Sequence, residues 1–542
     1  MDKRTLLAVV LSLALLMGYQ YFFPKARPFT RVEPVQNTEE AWDRGQVGTA
    51  GQATQGEPVI EHQKSLVKRD ENTGTGKDVV VEGALYRATF NTGGAGLKSF
   101  KLKGYRKDLA EDSPLVEMVN TGDTANYPLA STFPESSIDI PADVLYEAST
   151  DSIDFTDAAG AKDLVFSWSY PGAIKVDKIY TFYPERYSFD LEVRVTNLSD
   201  DTIKEQALLT WNQYVDPESK GSRYSHEGPI SFIKGKTVQE KVKKLGERKF
   251  SDPDVSWGGF ETKYFISAMI PEQPSLTRFV VSKDSGNTVF SDLEGPKTII
   301  PPGQSGAFRY ALYLGPKEHH RLLAQDVGLE NAIDFGSWVK WLALPLLKAL
   351  KWIVKYVHNY GVAIILITIL VKLIFWPLGN MSYRSMKGMQ KLQPQMKKLQ
   401  EKHKDDKAKL QQETMALYKA NKVNPMSGCL PMLIQLPVFF GLYRALLYSI
   451  ELRHAPFVFW IQDLSAKDPY YITPIVMGAT MFLQQKMSPA PGGNEMQAKM
   501  MLWMPVIFTF LFLSFPAGLV IYWLFNNVLS IGQQYYINKQ SS

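Results

Sequence analysis

The chain has 542 residues, a formal net charge of +5 and a single cysteine, Cys429. That length accommodates a sizeable soluble domain together with a membrane bundle; the modest charge does not by itself suggest nucleic acid, and a lone cysteine excludes an intrachain disulfide framework and any CxxC metal site. Residues 24–335 are polar and turn-rich, whereas long apolar runs dominate after 337, so a water-facing domain joined to a membrane domain is expected.

Lys3 and Arg4 precede an apolar run over 6–23. A secretory signal peptide is the rival reading, since 6–17 has the length of an h-region. No small-residue cleavage site follows, however, because Gly18-Tyr19-Gln20-Tyr21 is bulky and aromatic. The expectation is an uncleaved transmembrane anchor over 1–23 with a cytoplasmic N-terminus and an aromatic belt at its outer end. Residues 24–78, rich in Gly, Gln, Thr, Glu and Pro, read as a flexible periplasmic linker. Over 79–330 the pattern is β. Tyr187, Phe189, Leu191, Val193 and Val195 alternate with Ser188, Asp190, Glu192 and Arg194, and turns punctuate at Gly93-Gly94 and Pro301-Pro302-Gly303, which predicts an antiparallel β-sandwich.

Residues 331–358 carry Lys340, Lys348, Lys351 and Lys355 within about 80° of one another at 100° per residue, with Trp338, Trp341, Leu342 and Leu346 elsewhere around the helix. This predicts an amphipathic helix lying in the membrane interface, an anchor and hinge between domains. Further transmembrane helices are expected at 359–379, 427–450, 470–486, 500–515 and 516–537, the last two parted by Phe515-Pro516-Ala517-Gly518, making six in all. Residues 380–426 hold Arg384, Lys387, Lys391, Lys397, Lys398, Lys402, Lys404, Lys407, Lys409, Lys419 and Lys422, whereas 451–469 holds Arg453 and Lys467. The positive-inside rule then makes 380–426 a cytoplasmic basic helical hairpin, 451–469 a periplasmic loop and 487–499 a cytoplasmic loop, with both termini cytoplasmic. The hairpin's apolar stripe is Met386, Met389, Leu392, Met396 and Leu399, with Asp405-Asp406 breaking and capping. It is either a solvated device that enforces topology or a mobile contact surface.

Lys372 interrupts an apolar run, and a cation at membrane depth costs roughly 2.5–3.5 kcal/mol. It either snorkels to the near interface or, with Gln435 and Asn526-Asn527, lines a water-filled cavity. Arg444 lies near the outer end of its span, with Glu451 at i+7, and is expected to snorkel or pair. Spans of about 16 residues reach ~24 Å against a hydrocarbon core of ~30 Å, which would thin the bilayer locally.

Asn424-Pro425-Met426-Ser427-Gly428-Cys429-Leu430-Pro431, then Leu433-Ile434-Gln435-Leu436-Pro437, resembles the signature of the YidC insertase family. Leu452-Arg453-His454-Ala455-Pro456-Phe457, the stretch from Asp463 to Tyr471 and Phe515-Pro516-Ala517-Gly518-Leu519-Val520 resemble it too. The resemblance implies a five-helix core with a hydrophilic, positively charged groove, and a periplasmic β-supersandwich of the Gram-negative type. It implies an inner-membrane insertase and chaperone, not an enzyme, that works alone or beside the Sec translocon and its accessory subunits. Nascent membrane proteins, the bilayer, the ribosome and the targeting machinery are the implied partners, with no DNA, cofactor or metal. The resemblance implies substrate contacts at Lys372, Thr368, Tyr522 and Trp523, and Gln435 and Asn526 are expected to join them as polar residues of the cavity. Lys372 stands where the family commonly has arginine, and Trp523 where tyrosine is frequent, so the planar fork and the hydroxyl are lost. The competing expectation is a small-solute transporter or channel, though no internal repeat is visible. An envelope enzyme is disfavoured because none of the seven histidines has metal-ligand spacing with a partner.

Overall fold

The computed structural model describes Ser65–Leu66 and residues 76–540, apart from 123–125, 134–135, 140–143, 156–159, 219–224, 337, 404–405, 422, 424–429 and 488–494. The expected anchor at 1–23, most of the linker and the motif from Asn424 to Cys429 lie outside the described residues.

Alternating side chains build the β domain as read. In Ser188–Asn197, Phe189, Leu191, Val193 and Val195 are buried while the residues between them are not. This strand sits centrally in a nine-stranded sheet, between Ser305–Pro316 and Ile174–Phe182. A five-stranded sheet centred on Thr288–Ile300 and Ile203–Tyr214, and another centred on Gly96–Arg106 and Tyr86–Asn91, complete the domain. In these three sheets pairing is antiparallel except where the edge strand Ser152–Asp154 runs parallel to Asp78–Glu82.

Among the ionisable side chains buried with this core are Lys178 and Glu205. Lys178 donates to the carbonyls of Gly94 at 2.8 Å and Leu129 at 3.4 Å, and desolvation still pushes its ammonium down to about 7. Burial pushes the Glu205 carboxyl up to about 7, although Ser136 donates to it.

The remaining chain is helical: α1 (His319–Leu323), α2 (Lys340–Val357), α3 (Tyr360–Ile374), α4 (Trp376–Lys391), α5 (Gln393–Lys402), α6 (Lys407–Ala420), α7 (Leu430–Tyr448), α8 (Ile472–Met487), α9 (Glu495–Phe512) and α10 (Ala517–Gln540). The run expected as one span at 359–379 is bent by 65° between α3 and α4. Pro377, in the first turn of α4, has no N–H to give the carbonyl of Leu373, so the α3 ladder ends there. By length and composition this bent pair can cross a membrane, and among the described residues no single helix is long and apolar enough to do so alone. Leu392, Met396 and Tyr418 form the small core of the hairpin, and Asp406 caps α6 by accepting from the Lys409 N–H at 3.0 Å.

The loop between α7 and α8 joins bundle to β domain. Its Arg453 donates to the carbonyls of Arg106 at 2.6 Å and Lys107 at 2.9 Å. Its Phe457 rests on Gly361 at the start of α3, where any Cβ would collide with the ring, and its carbonyl accepts from Asn359, the α3 cap. Arg444 pairs with Asp334 at 2.8 Å, while Glu451 takes Lys351 and Ser449 instead.

Between pH ~7 and ~10 the unfolded chain binds a proton at Lys178 that the folded chain does not, so this residue makes stability rise with pH in that window. Below pH ~7 both states carry the charge and this gain is absent. Glu205 acts oppositely: between pH ~4.5 and ~7 the folded state holds the extra proton, so its contribution falls as pH rises. The rise above pH 7, up to ~1.4 kcal/mol per pH unit, should flatten in Lys178→Met. Calorimetric unfolding of the detergent-solubilised protein at pH 7, 8 and 9 checks this; an unchanged slope in the variant would refute it.

Candidate functional site

α10 carries a polar face through an apolar bundle. Asn526, Ser530 and Gln533 recur at i, i+4 and i+7, which places them on one side of the helix, with Asn527 and Gln534 beside them. All of them bond to neighbouring helices or to the chain just beyond the α3–α4 bend. Lys372, in the last turn of α3, donates to Ser530 Oγ at 2.7 Å and to Asn526 Oδ1 at 3.3 Å. Gln435 of α7 donates to the same Asn526 oxygen at 2.6 Å. Ser530 donates onward to the Asn526 carbonyl at 2.7 Å. Asn527 donates to Thr480 of α8 at 3.3 Å. Gln533 donates to the Trp376 carbonyl at 3.1 Å and to Asn380 Oδ1 at 2.9 Å, and Gln534 to the Met487 carbonyl at 2.7 Å.

Lys372 thus sits beside the α3–α4 bend, where the helix C-terminus also favours its charge. Lys372, Gln435 and Asn526 are all half-buried, whereas Asn527, Ser530, Gln533 and Gln534 are buried. The three half-buried groups therefore gather a cation and two amides where α3, α7 and α10 meet, beside buried polar groups of α10. Such an arrangement attracts an anionic group and tolerates water or polar backbone inside an apolar shell.

The other expected contacts lie elsewhere. Thr368 is buried, and its hydroxyl donates to the Ile364 carbonyl of its own helix at 2.6 Å. Tyr522 and Trp523 belong to an aromatic layer nearer the β domain. Trp523 packs on Phe439 at 4.8 Å, Phe512 at 5.3 Å and Phe508 at 6.2 Å between ring centroids, and Tyr522 on Phe439 at 6.4 Å. Tyr443 meets Phe515 at 6.0 Å in the same layer. Beyond it, the Ala517 and Gly518 N–H groups donate to the Ala466 and Leu464 carbonyls at 2.7 and 2.9 Å, fixing the start of α10 to the α7–α8 loop. Rings and loop thus stand between this polar cluster and the β domain. Sequence reasoning missed Ser530, Gln533, Gln534, Thr480 and Asn380; the three-and-four spacing after Asn526 was the signal that could have found the first three. Among the described residues no group of three or more His, Cys, Asp or Glu could hold a metal ion.

A β-sheet domain joined to a helical bundle with an internal polar face, and a bent apolar pair long enough to cross a membrane, fit a membrane protein with a large water-facing domain. Residues 352–542 match the 60Kd inner membrane protein family, and residues 78–349 match the YidC periplasmic domain. The chain is 57% identical over 549 residues to the membrane protein insertase YidC of Syntrophus aciditrophicus, covering 100% of both chains. It is 42% identical to the membrane protein insertase YidC of Geobacter metallireducens, over 99% of this chain and 98% of that one. An active YidC insertase crystal structure with its first transmembrane domain resolved aligns with 85% of this chain and 95% of its own, at 20% identity and a TM-score of 0.36. The chain belongs to the YidC family of membrane protein insertases.

Gly379, one turn past the bend, lies so close to Gln533 that an added Cβ would stand 2.7 Å from the amide nitrogen. Gly379→Ala should displace that amide from the Trp376 carbonyl and Asn380, and Gln533→Leu should remove it. Each is expected to cost about 1–3 kcal/mol, the penalty of leaving buried polar groups unmet. Thermal unfolding in detergent measures this; Gly532→Ala, which meets open space inside α10, serves as the comparison that carries only alanine's helix-propensity gain of about 1 kcal/mol.

Proposed function

We propose that this inner-membrane protein inserts other proteins into the bilayer by drawing a short polar segment into the space between α3, α7 and α10. The observation that carries this is the half-buried Lys372, held by Ser530 and Asn526 in an otherwise apolar bundle, with Gln435 on the same Asn526 oxygen. The charge attracts acidic residues of a substrate's tail, and the amides and hydroxyl replace water around its backbone. The substrate's hydrophobic helix then leaves along the exposed apolar side chains of the bundle, among them Leu370, Leu373 and Ile374 of α3. Closure by the aromatic layer keeps the polar space from opening toward the periplasm.

Topology follows from charge. The basic hairpin of α5 and α6 lies in the cytoplasm, the α7–α8 loop in the periplasm, and both termini in the cytoplasm, with spans at 1–23, 359–379, 427–450, 470–486, 500–515 and 516–537. α3 has 15 residues and α8 has 16, or ~22–24 Å of helix against a core of ~30 Å. Thinning the bilayer there lowers the barrier to a polar tail. The membrane potential adds ~2.3 kcal/mol per charge per 100 mV. The hairpin is the surface we assign to the ribosome or targeting machinery, and the Sec translocon is the expected neighbour for larger clients. Lys372, Gln435 and Asn526 are the substrate contacts in the polar space. Trp523 and Tyr522 form its closing wall, and Thr368 supports the α3 backbone.

Vesicles reconstituted with the protein alone, given a single-span substrate with an acidic tail, test this reading. Lys372→Ala should lower insertion by about tenfold or more, since opposite charges ~4 Å apart at an effective dielectric of ~20 attract by ~4 kcal/mol before desolvation. Lys372→Arg should retain it, and a substrate with a neutral tail should be little affected. Equal insertion by all three proteins would reduce Lys372 to a snorkelling side chain.

A further inference from the structure

We propose that the outward face of α2 is a binding stripe for the phosphate headgroups of acidic phospholipids in the periplasmic leaflet, with Lys348 and Lys355 as the charges that select them. The inference goes beyond insertion and takes from it only that the bundle lies in a bilayer.

The four lysines that share a sector in sequence separate into two pairs. Lys340 donates to Asn331 Oδ1 at 2.9 Å, and Lys351 pairs with Glu451. Asn331 is itself tied to the β domain, its carbonyl accepting from Thr237 at 3.3 Å. These two lysines mark the edge of α2 that faces the β domain. Lys348 and Lys355 are exposed and have no ion pair or hydrogen bond among the described residues.

At 100° per residue, and with Lys340 at 0°, Lys351 falls at about 20°, Lys355 and Lys348 at about 60–80°, and Trp341, Trp352 and Tyr356 at about 100–160°. The three aromatic residues are 69%, 60% and 68% exposed, with Trp352 and Tyr356 in contact at 5.0 Å. The opposite side of α2, with Ala343, Leu346, Leu347 and Leu350, is buried. Going around the helix therefore leads from the domain edge, through two unpaired cations, to a row of exposed rings. Rings of this kind settle at the boundary of headgroups and acyl chains. With the rings there and the opposite edge bound to the water-facing domain, Lys348 and Lys355 lie at the depth of the lipid phosphates. Charge complementarity at that depth selects an acidic lipid over a zwitterionic one.

Lipid binding by the purified full-length protein, measured by native mass spectrometry with phosphatidylglycerol and phosphatidylcholine, tests the proposal. The double variant Lys348→Gln/Lys355→Gln should lose the preference for phosphatidylglycerol by about thirtyfold, at roughly 1 kcal/mol per lysine near a charged surface. Lys348→Arg/Lys355→Arg should keep it. So should Lys236→Gln/Lys241→Gln, which removes the same charge from exposed positions on the β domain. An undiminished preference in the glutamine variant, or an equal loss in the β-domain variant, would overturn the proposal. Abolition of the preference by inorganic phosphate at matched ionic strength would overturn it too, marking a site for free anions instead of a lipid face. Insertion into neutral vesicles, measured in parallel, reports separately on the polar space.

Discussion

Inside a hydrocarbon layer a polar group has no water to fall back on, so each one present must find its partner within the protein. α10 meets much of this demand, though its own Trp523 Nε1 and Gln534 Oε1 are buried without a hydrogen-bond partner among the described residues. Its amides and one hydroxyl reach α3, α4, α7 and α8, and through them the single cation of α3 is accommodated. The same bonds that seat α10 also compose the polar space. Under the proposed function, structural adhesion and substrate attraction would be properties of one set of side chains, and a substitution there would alter both.

The bend between α3 and α4 belongs to the same arrangement. Pro377 ends α3 three residues after Ile374, which places Lys372 in a final helical turn and turns the next segment aside. Without that interruption the lysine would lie in mid-helix, away from the negative end of the helix dipole. Gln533 then bonds the backbone just beyond the bend, where the reoriented helix offers a carbonyl and Asn380 together. Gly379 leaves the room for this approach.

Much of this was legible in the chain. Alternation over Ser188–Asn197 announced a half-buried strand, and Lys372, Gln435 and Asn526 were conspicuous because a charge or amide in an apolar run has few tolerable surroundings. Family resemblance supplied Thr368, Tyr522 and Trp523, but resemblance carries position, not orientation. The Thr368 hydroxyl turns back on its own helix, a local bond always within its reach, and the two aromatic residues stack into a wall. Ser530, Gln533 and Gln534 escaped notice because one serine or glutamine is unremarkable near a helix end; only their common face gives them meaning. The bend was missed although Pro377 was in plain view, since an apolar run counts length and not the ladder that proline interrupts. Sheet order and the partner of Arg444 depend on contacts between residues far apart in the chain, which local pattern does not encode.

The attachment of α10 has a consequence for how this protein is itself made. Its partners in α3, α7 and α8, and the α7–α8 loop that fixes its first turn, all precede it in the chain. Until α10 emerges, Lys372 and Gln435 have no Asn526 or Ser530 to bond, and the loop that reaches the β domain through Arg453, 347 residues from Arg106, has not yet received the N–H groups of Ala517 and Gly518. A chain that has not yet made α10 therefore lacks the bonds by which this helix ties α3, α7 and the loop together. A protein of this build passes through the condition of its own clients, a membrane segment with unmet polar groups awaiting a partner.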